Sequence, residues 1–270
     1  MNKKLAEKWK LFIASLKLKS SFLYVVIYDA LFWITAWILF SLFIFILDKK
    51  ASAIDTDALS GFAALTNITA AQTQELQQLA QSMQGLFYFS IFGIIFLIAA
   101  ALLLFTLTRA FIWNHLLKKK FNLKKYLRFN LLNILLAAIL VIILLIIFII
   151  RMPVMAFLVN ISVNLALIVS SILFLIIFTA AAYFVSLAYI NYTLTGKIFN
   201  SFDKTFKLIK NKFADISCSY LFILTAAIAV SFIAKLIWLL PSYVQKFFNM
   251  AVVILFMAWM RIYIVNVIKQ

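Results

Sequence analysis

Hydrophobic positions run almost without a break through six stretches of this chain, residues 22–47, 86–112, 129–150, 161–192, 216–240 and 247–267. Each meets the ~20 residues a helix needs to cross a hydrocarbon core about 30 Å thick. Nothing alternates with the period of two that a lipid-facing barrel strand requires. The pattern therefore predicts an all-α, polytopic integral membrane protein: one transmembrane domain over 1–270, with six transmembrane helices in three hairpins. The fourth stretch is the longest and is expected to tilt, or to project from the lipid around Tyr189 to Thr193. Helix breakers are scarce, with 2 Pro and 4 Gly in the whole chain. Pro153 and Pro241 are placed at outer turns and only Gly93 falls inside a span, so the helices are expected to be continuous, unlike the interrupted helices common at transporter midplane sites.

Between the apolar runs, the polar segments carry a second pattern. In residues 1–21, Leu5, Trp9, Phe12 and Leu16 fall on one helical face and six lysines spread over the rest. In residues 195–215, Phe199, Phe202, Phe206, Ile209 and Phe213 recur every three or four positions with Lys197, Lys204, Lys207, Lys210 and Lys212 between them. Both read as basic amphipathic helices lying in the membrane interface on the cytoplasmic side. His115 to Arg128 has the same ingredients with poorer periodicity, and His115 is expected to be a solvated loop residue. The chain thus reads as three units of similar design, 1–112, 113–194 and 195–270, each a basic interfacial segment followed by two spans. Ordinary topology signalling and dedicated binding of an anionic partner both account for it.

Residues 48–84 form the one long polar loop. Thr69 and Gln72 make a capping-box pattern, so the second helix is expected to start near residue 70, ahead of the lipid. Asn67-Ile68-Thr69 is a glycosylation acceptor motif. Asp55 and Asp57 lack the further ligands that a metal would need. Ala51-Ser52-Ala53 looks like a cleavage site, but the preceding run is far longer than the ~7–15 residues of a signal core, and it reads as an uncleaved anchor.

Charge fixes the expected orientation. The chain holds 25 Lys plus Arg against 8 Asp plus Glu, a formal charge of +17, within a composition that is 67% hydrophobic and has a mean hydropathy of +1.11. Placing the N-terminus inside puts 20 of the 25 basic residues on the cytoplasmic side, which predicts cytoplasmic N- and C-termini in a cell (plasma) membrane. With so much lipid-soluble sequence, the anionic partner implied by this excess is the inner leaflet rather than nucleic acid. Candidate lipid contacts are Lys118, Lys119, Lys120, Lys204, Lys207 and Lys210. The single cysteine, Cys218, excludes an intramolecular disulfide and reads as a packing residue.

Ionisable groups inside spans are costly and become candidates for function. Asp29 is the one carboxylate in the apolar runs, about two turns from the cytoplasmic end, Arg261 lies at a similar depth and Arg109 somewhat nearer the surface. An ion pair of Asp29 with one of these arginines is expected, either as a lock between helices or, with Tyr28, Tyr263, Tyr24, Tyr189, Asn191, Tyr192 and Asn266, as part of a cytoplasm-facing vestibule for an anion. No metal-ligand spacing, nucleophile motif or phosphate-cradling glycine loop appears, and no cofactor is expected. Span serines such as Ser90, Ser170, Ser171, Ser186 and Ser231 are assigned to helix packing. The functional expectation is a non-catalytic membrane protein whose basic face organises anionic lipids or partner proteins, itself included. The competing expectation is a transport or permeation subunit for an anionic or amphipathic substrate near Asp29, Arg109 and Arg261.

Overall fold

The structure, a computed structural model, describes residues 3–16, 20–54, 70–237, 239 and 241–269. Among these residues it is all helical: α1 (Lys3–Ser15), α2 (Ser20–Ala51), α3 (Ala70–Leu116), α4 (Leu123–Val159), α5 (Val163–Thr195), α6 (Ile198–Asn211), α7 (Phe213–Ile237) and α8 (Ser242–Ile268). Six of them, α2, α3, α4, α5, α7 and α8, are long and apolar enough to span a membrane. The loop features at Asp55, Asp57, Asn67 and Thr69, and the side chains of Leu5 and Gln72, lie outside what the structure describes, although α3 does start at Ala70.

Helix boundaries follow local chemistry. Asn122 caps α4, its side chain accepting from the backbone N–H of Lys124 at 2.9 Å and of Lys125 at 3.3 Å. This cap splits the second basic segment: Lys118 to Lys120 fall in the turn after α3, while Lys124, Lys125 and Arg128 join the first turns of α4. No separate interfacial helix forms there, so the threefold recurrence holds for charge but not for helices. His115 is likewise not a loop residue; it sits in the last turn of α3 with its ring stacked 3.8 Å from that of Tyr24. Gly196 ends α5 at a φ of 69°, its N–H donating to the Tyr192 carbonyl at 2.7 Å, a left-handed cap that a Cβ-bearing residue resists. Pro153 is not at a turn: α4 continues through it to Val159, and the reversal into α5 comes at Asn160 to Ser162. Where water is absent, continuing the helix satisfies more backbone groups than ending it, and Ser162 supplies the next N-cap, accepting from Leu165 N–H at 3.4 Å.

The chain packs as two compact units, residues 1–30 with 106–270, and residues 31–105. In the second, Phe43 stacks on Phe89 at 5.9 Å and its ring occupies the space where Gly93 lacks a side chain, while Phe32 meets Phe105 edge-on at 5.5 Å. Gly93 therefore does not break α3; it admits an aromatic ring.

In the first unit, burial is concentrated toward one end, the end that carries the 109–128 and 197–212 basic segments. Residues 258–265 of α8 and 186–193 of α5 are buried continuously, so both helices are surrounded by protein there. The apolar window of α8 is 56% buried, against 17% or less in the other five spans. Beyond Leu136, by contrast, α4 has no buried residue, and Ile149 and Phe157 are fully open. The amphipathic N-terminal segment has a role inside this packing: Phe12 of α1 lies 5.5 Å from Phe222, 5.3 Å from Trp259 and 6.0 Å from Tyr263, and α1 packs on α7 and α8. Leu16 stays exposed.

That arrangement makes Phe12, and not Leu16, the anchor of α1. Phe12→Ala is expected to cost about 2–3 kcal/mol and Leu16→Ala under about 0.5 kcal/mol. Thermal melts of the detergent-purified variants check the order.

Candidate functional site

The three intramembrane charges meet. Arg109 and Arg261 each donate through Nη1 to Asp29, to separate carboxylate oxygens, so Asp29 pairs with both arginines rather than with one. All three residues are buried. Asp29 and Arg261 lie about two turns, and Arg109 about one turn, in from the ends of their apolar runs, and α2, α3 and α8 bring the three together. One carboxylate against two guanidiniums leaves a buried net charge of about +1 at fixed sites.

Beside this triad runs a chain of neutral hydrogen bonds. The Tyr189 hydroxyl donates to Asn133 Oδ1 at 2.7 Å, and Asn133 Nδ2 donates to Thr106 Oγ1 at 2.7 Å, joining α5, α4 and α3. Further ties complete the set: Trp259 Nε1 to Ser15 Oγ at 2.9 Å between α8 and α1, Tyr192 OH to the Lys125 carbonyl at 2.7 Å between α5 and α4, Asn191 Nδ2 to Thr205 Oγ1 at 2.9 Å between α5 and α6, and Tyr220 OH to the Ile176 carbonyl at 2.7 Å between α7 and α5. With the triad, they link all eight described helices. Neither Tyr28 nor Tyr263 bonds to the triad. Tyr28 packs on Tyr24 and Phe111, and Tyr263 stacks on Trp259 at 5.5 Å.

Of the span serines, Ser170 and Ser186 are buried. Ser90, Ser171, Ser186 and Ser231 each donate to the carbonyl four residues earlier in their own helix, at 2.8 Å.

Above the triad opens a cavity of about 680 Å³ between α1, α2, α3 and α8. His115, Lys118, Lys119 and Lys269 line it with Asn114, Asn266, Ser15, Ser20 and Ser21, and no acidic residue is among them. Of the polar residues expected to form a vestibule, only Asn266 is in this lining. Tyr189, Asn191, Tyr192 and Tyr263 are buried in the helix packing instead. Lys118 and Lys119 hold their place through an unusual turn. Lys118 has a φ of 54°, Lys119 N–H donates to the Asn114 carbonyl at 2.8 Å and Lys118 N–H to that of His115 at 3.1 Å. This is a Schellman cap with lysine where glycine normally sits, at a cost of about 1 kcal/mol. Lys120 is exposed in the same turn but outside the lining. Lys269 reaches the Leu116 carbonyl at 3.1 Å, closing one wall.

Lys204, Lys207 and Lys210 stand apart from this cavity on the exposed side of α6, and Lys207 pairs with Asp203 at 2.8 Å. The faces of α6 divide differently from the periodic reading. Ser201 and Thr205 are its most buried residues, Phe202 and Ile209 pack on the core, and Phe199 and Phe206 are exposed, as is Phe213 at the start of α7.

Thr106, Asn133, Ser15 and Trp259 were not singled out by the sequence pattern. Thr106 and Asn133 carried a usable signal, since each is a polar residue in an apolar run near the depth of Asp29. Ser15 and Trp259 carried none, because their pairing spans 244 positions. No protein-family model matches the chain, and no curated protein or solved structure is detectably similar to it.

The charge count of the triad ranks its variants. Asp29→Asn leaves two buried guanidiniums unopposed and is expected to cost about 3–5 kcal/mol, whereas Arg261→Met leaves a neutral Asp29–Arg109 pair and should cost less. Membrane abundance and melting temperature of the two variants, compared side by side, check this ranking.

Proposed function

We propose that the chain is a non-catalytic integral membrane protein that gathers anionic lipid head groups at a basic, cytoplasmic end. The observation that carries this reading is the cavity of about 680 Å³ lined by His115, Lys118, Lys119 and Lys269, with no acidic residue among the described lining. Ammonium groups and side-chain amides converging on one space suit a phosphate, which accepts several hydrogen bonds at once. The left-handed Lys118 supports the same reading: a strained backbone that glycine would relieve is retained where it positions two lysines. On α6, the exposed Phe199 and Phe206 beside Lys207 and Lys210 suit a helix lying against the leaflet, with rings among acyl chains and ammonium groups at the phosphates. Six spans already anchor the chain, so this basic surface is assigned to collecting and positioning lipid rather than to attachment.

One observation favours the transport reading. The buried triad carries net positive charge, and Ile262, next to Arg261, lines the cavity. In that reading an anion descends from the cavity toward the arginines. The scaffold reading is preferred because Asp29 already engages both guanidiniums and none of the triad is in the cavity lining.

Lys118→Gly separates strain from charge. It is expected to raise stability by about 1 kcal/mol while lowering retention of phosphatidylglycerol in native mass spectrometry. Lys118→Gln with Lys119→Gln should lower retention without the stability gain. Unchanged retention in both variants would refute the reading. Uptake of an anion into vesicles containing the purified protein, abolished by Arg261→Met at normal abundance, would favour transport.

A further inference from the structure

The cations of the basic cavity are not spread evenly around its wall. His115, Lys118 and Lys119 come from the last turn of α3 and the cap that ends it, and Lys269 comes from the end of α8. The Lys269 ammonium donates to the Leu116 carbonyl at 3.1 Å, which ties it to that same turn of α3. An ammonium carries three donors, so this bond leaves two for a ligand. The walls from α1 and α2 bring no charge among the described residues, and their polar members are Ser15, Ser20 and Ser21. Three ammonium groups and an imidazole therefore gather at one side of a space of about 680 Å³ whose other side is neutral.

This grouping bears on the kind of phosphate that fits. Two phosphates joined by a spacer suit cations in two clusters, whereas one cluster suits one phosphate. A phosphodiester head group offers that cluster a single charge and two free oxygens. A phosphomonoester offers three free oxygens and, with a second ionisation at about pH 6, close to two charges at neutral pH. The second charge gains from every ammonium in reach, because no carboxylate in the described lining opposes it. The remaining lining separates a lipid from a soluble phosphate. Phe22 and Ile262 belong to the spans α2 and α8, so the cavity borders the apolar region as well as the basic end. That suits an amphiphile whose chains lie beside those spans.

We propose that the basic cavity selects a lipid with a doubly charged phosphomonoester head group, of which phosphatidic acid is the simplest, over singly charged phosphodiester lipids. The selection rests on the reading of this cavity as an anionic-lipid site and adds the charge state of the head group. His115, Lys118, Lys119 and Lys269 hold the phosphate, and the glycerol end lies against the neutral wall of α1 and α2.

The test is native mass spectrometry of the full-length protein in detergent with equal amounts of phosphatidic acid and phosphatidylglycerol, at about pH 7.5, where the monoester is mostly doubly charged. Phosphatidic acid should be retained about tenfold over phosphatidylglycerol, as one further charge facing several ammonium groups at a partly exposed site gives. At about pH 5 the monoester carries one charge and the ratio should fall toward parity. The groups facing the phosphate are His115, Lys118 and Lys119 from the end of α3 and Lys269 from α8, and α1 and α2 add none among the described residues. Charge gained by His115 on acidification acts on both lipids, so the ratio isolates the charge of the ligand. Both readings are made on the unaltered protein and depend on no variant folding. Lys269→Gln, at the C-cap of α8, should then lower the ratio at neutral pH about threefold, because the doubly charged lipid loses more with each cation removed. Equal retention of the two lipids at about pH 7.5, with both lost in Lys118→Gln with Lys119→Gln, would overturn the selection and leave the anionic-lipid reading standing. Retention of both lipids unchanged in that double variant would overturn the two together. A ratio that stays high at about pH 5 would overturn the selection as well, since the preference would not follow the charge. Glycerol phosphate in solution, raising the melting temperature of the delipidated protein as far as phosphatidic acid does, would overturn the lipid assignment in favour of a soluble phosphomonoester.

Discussion

The first unit turns on one carboxylate. Asp29 accepts from Arg109 and Arg261 at a depth where neither arginine has bulk water to solvate it. A charge moved into such a place costs several kcal/mol unless an opposite charge and hydrogen bonds meet it, so the position of each of the three residues constrains the other two. The constraint is mechanical as well as electrostatic. Within the first unit, α2 and α3 join the other helices through individual side chains, among them Ile112 and Trp113 of α3 in the core. For α2 these are Asp29, the fully buried Val25, the stack of Tyr24 on His115 and the packing of Tyr28 on Phe111.

Other polar ties gather near the same end, for a reason specific to lipid. Between helices surrounded by acyl chains, burying one more leucine yields little, because lipid is as apolar as the neighbouring helix. Association is favoured where polar groups find partners and where aromatic and small residues pack closely. The stretch of α4 beyond Leu136 is almost wholly apolar and has no buried residue. The halves of α5 and α8 toward the basic end carry Tyr189, Asn191, Tyr192, Trp259, Arg261 and Tyr263, and those segments are continuously buried. The distribution of polarity along each helix therefore decides where the bundle is tight.

The same logic explains which features were legible in the sequence. Six spans were plain, because length and hydropathy are local properties, and so was the similar depth of Asp29 and Arg261, with Arg109 somewhat nearer the surface. That Asp29 serves both arginines was not, since it depends on how α3 and α8 are placed about α2. The periodic phenylalanines of 199–213 do form a helix, α6. Four of the five positions lie in it, while Phe213 opens α7; Thr205, which bonds to Asn191, faces the protein, and Phe199 and Phe206 face outward. Pro153 misled because a proline at the end of an apolar run usually marks a turn, whereas the apolar residues that follow extend the helix. The basic cavity was invisible in the sequence, as it draws its walls from residues 14–22, 114–119 and 262–269, far apart along the chain.

On the proposed lipid-gathering reading, the buried triad and the nearby basic cavity would attract an anion through different physics. Lys118 and Lys119 are exposed, so their attraction for an anion is screened over a Debye length of about 8 Å at physiological salt. The net positive charge of the triad is enclosed by protein and far less screened. It raises the potential toward the cavity floor, where Ile262 and Asn266 of α8 form the lining beyond Arg261. An ordinary positive loop offers only the first of these contributions, and its attraction fades as salt rises. If the proposed reading holds, a cavity with a fixed cationic centre near it would retain part of its attraction for a phosphate at high salt, which would distinguish an anion site from residues that serve topology alone.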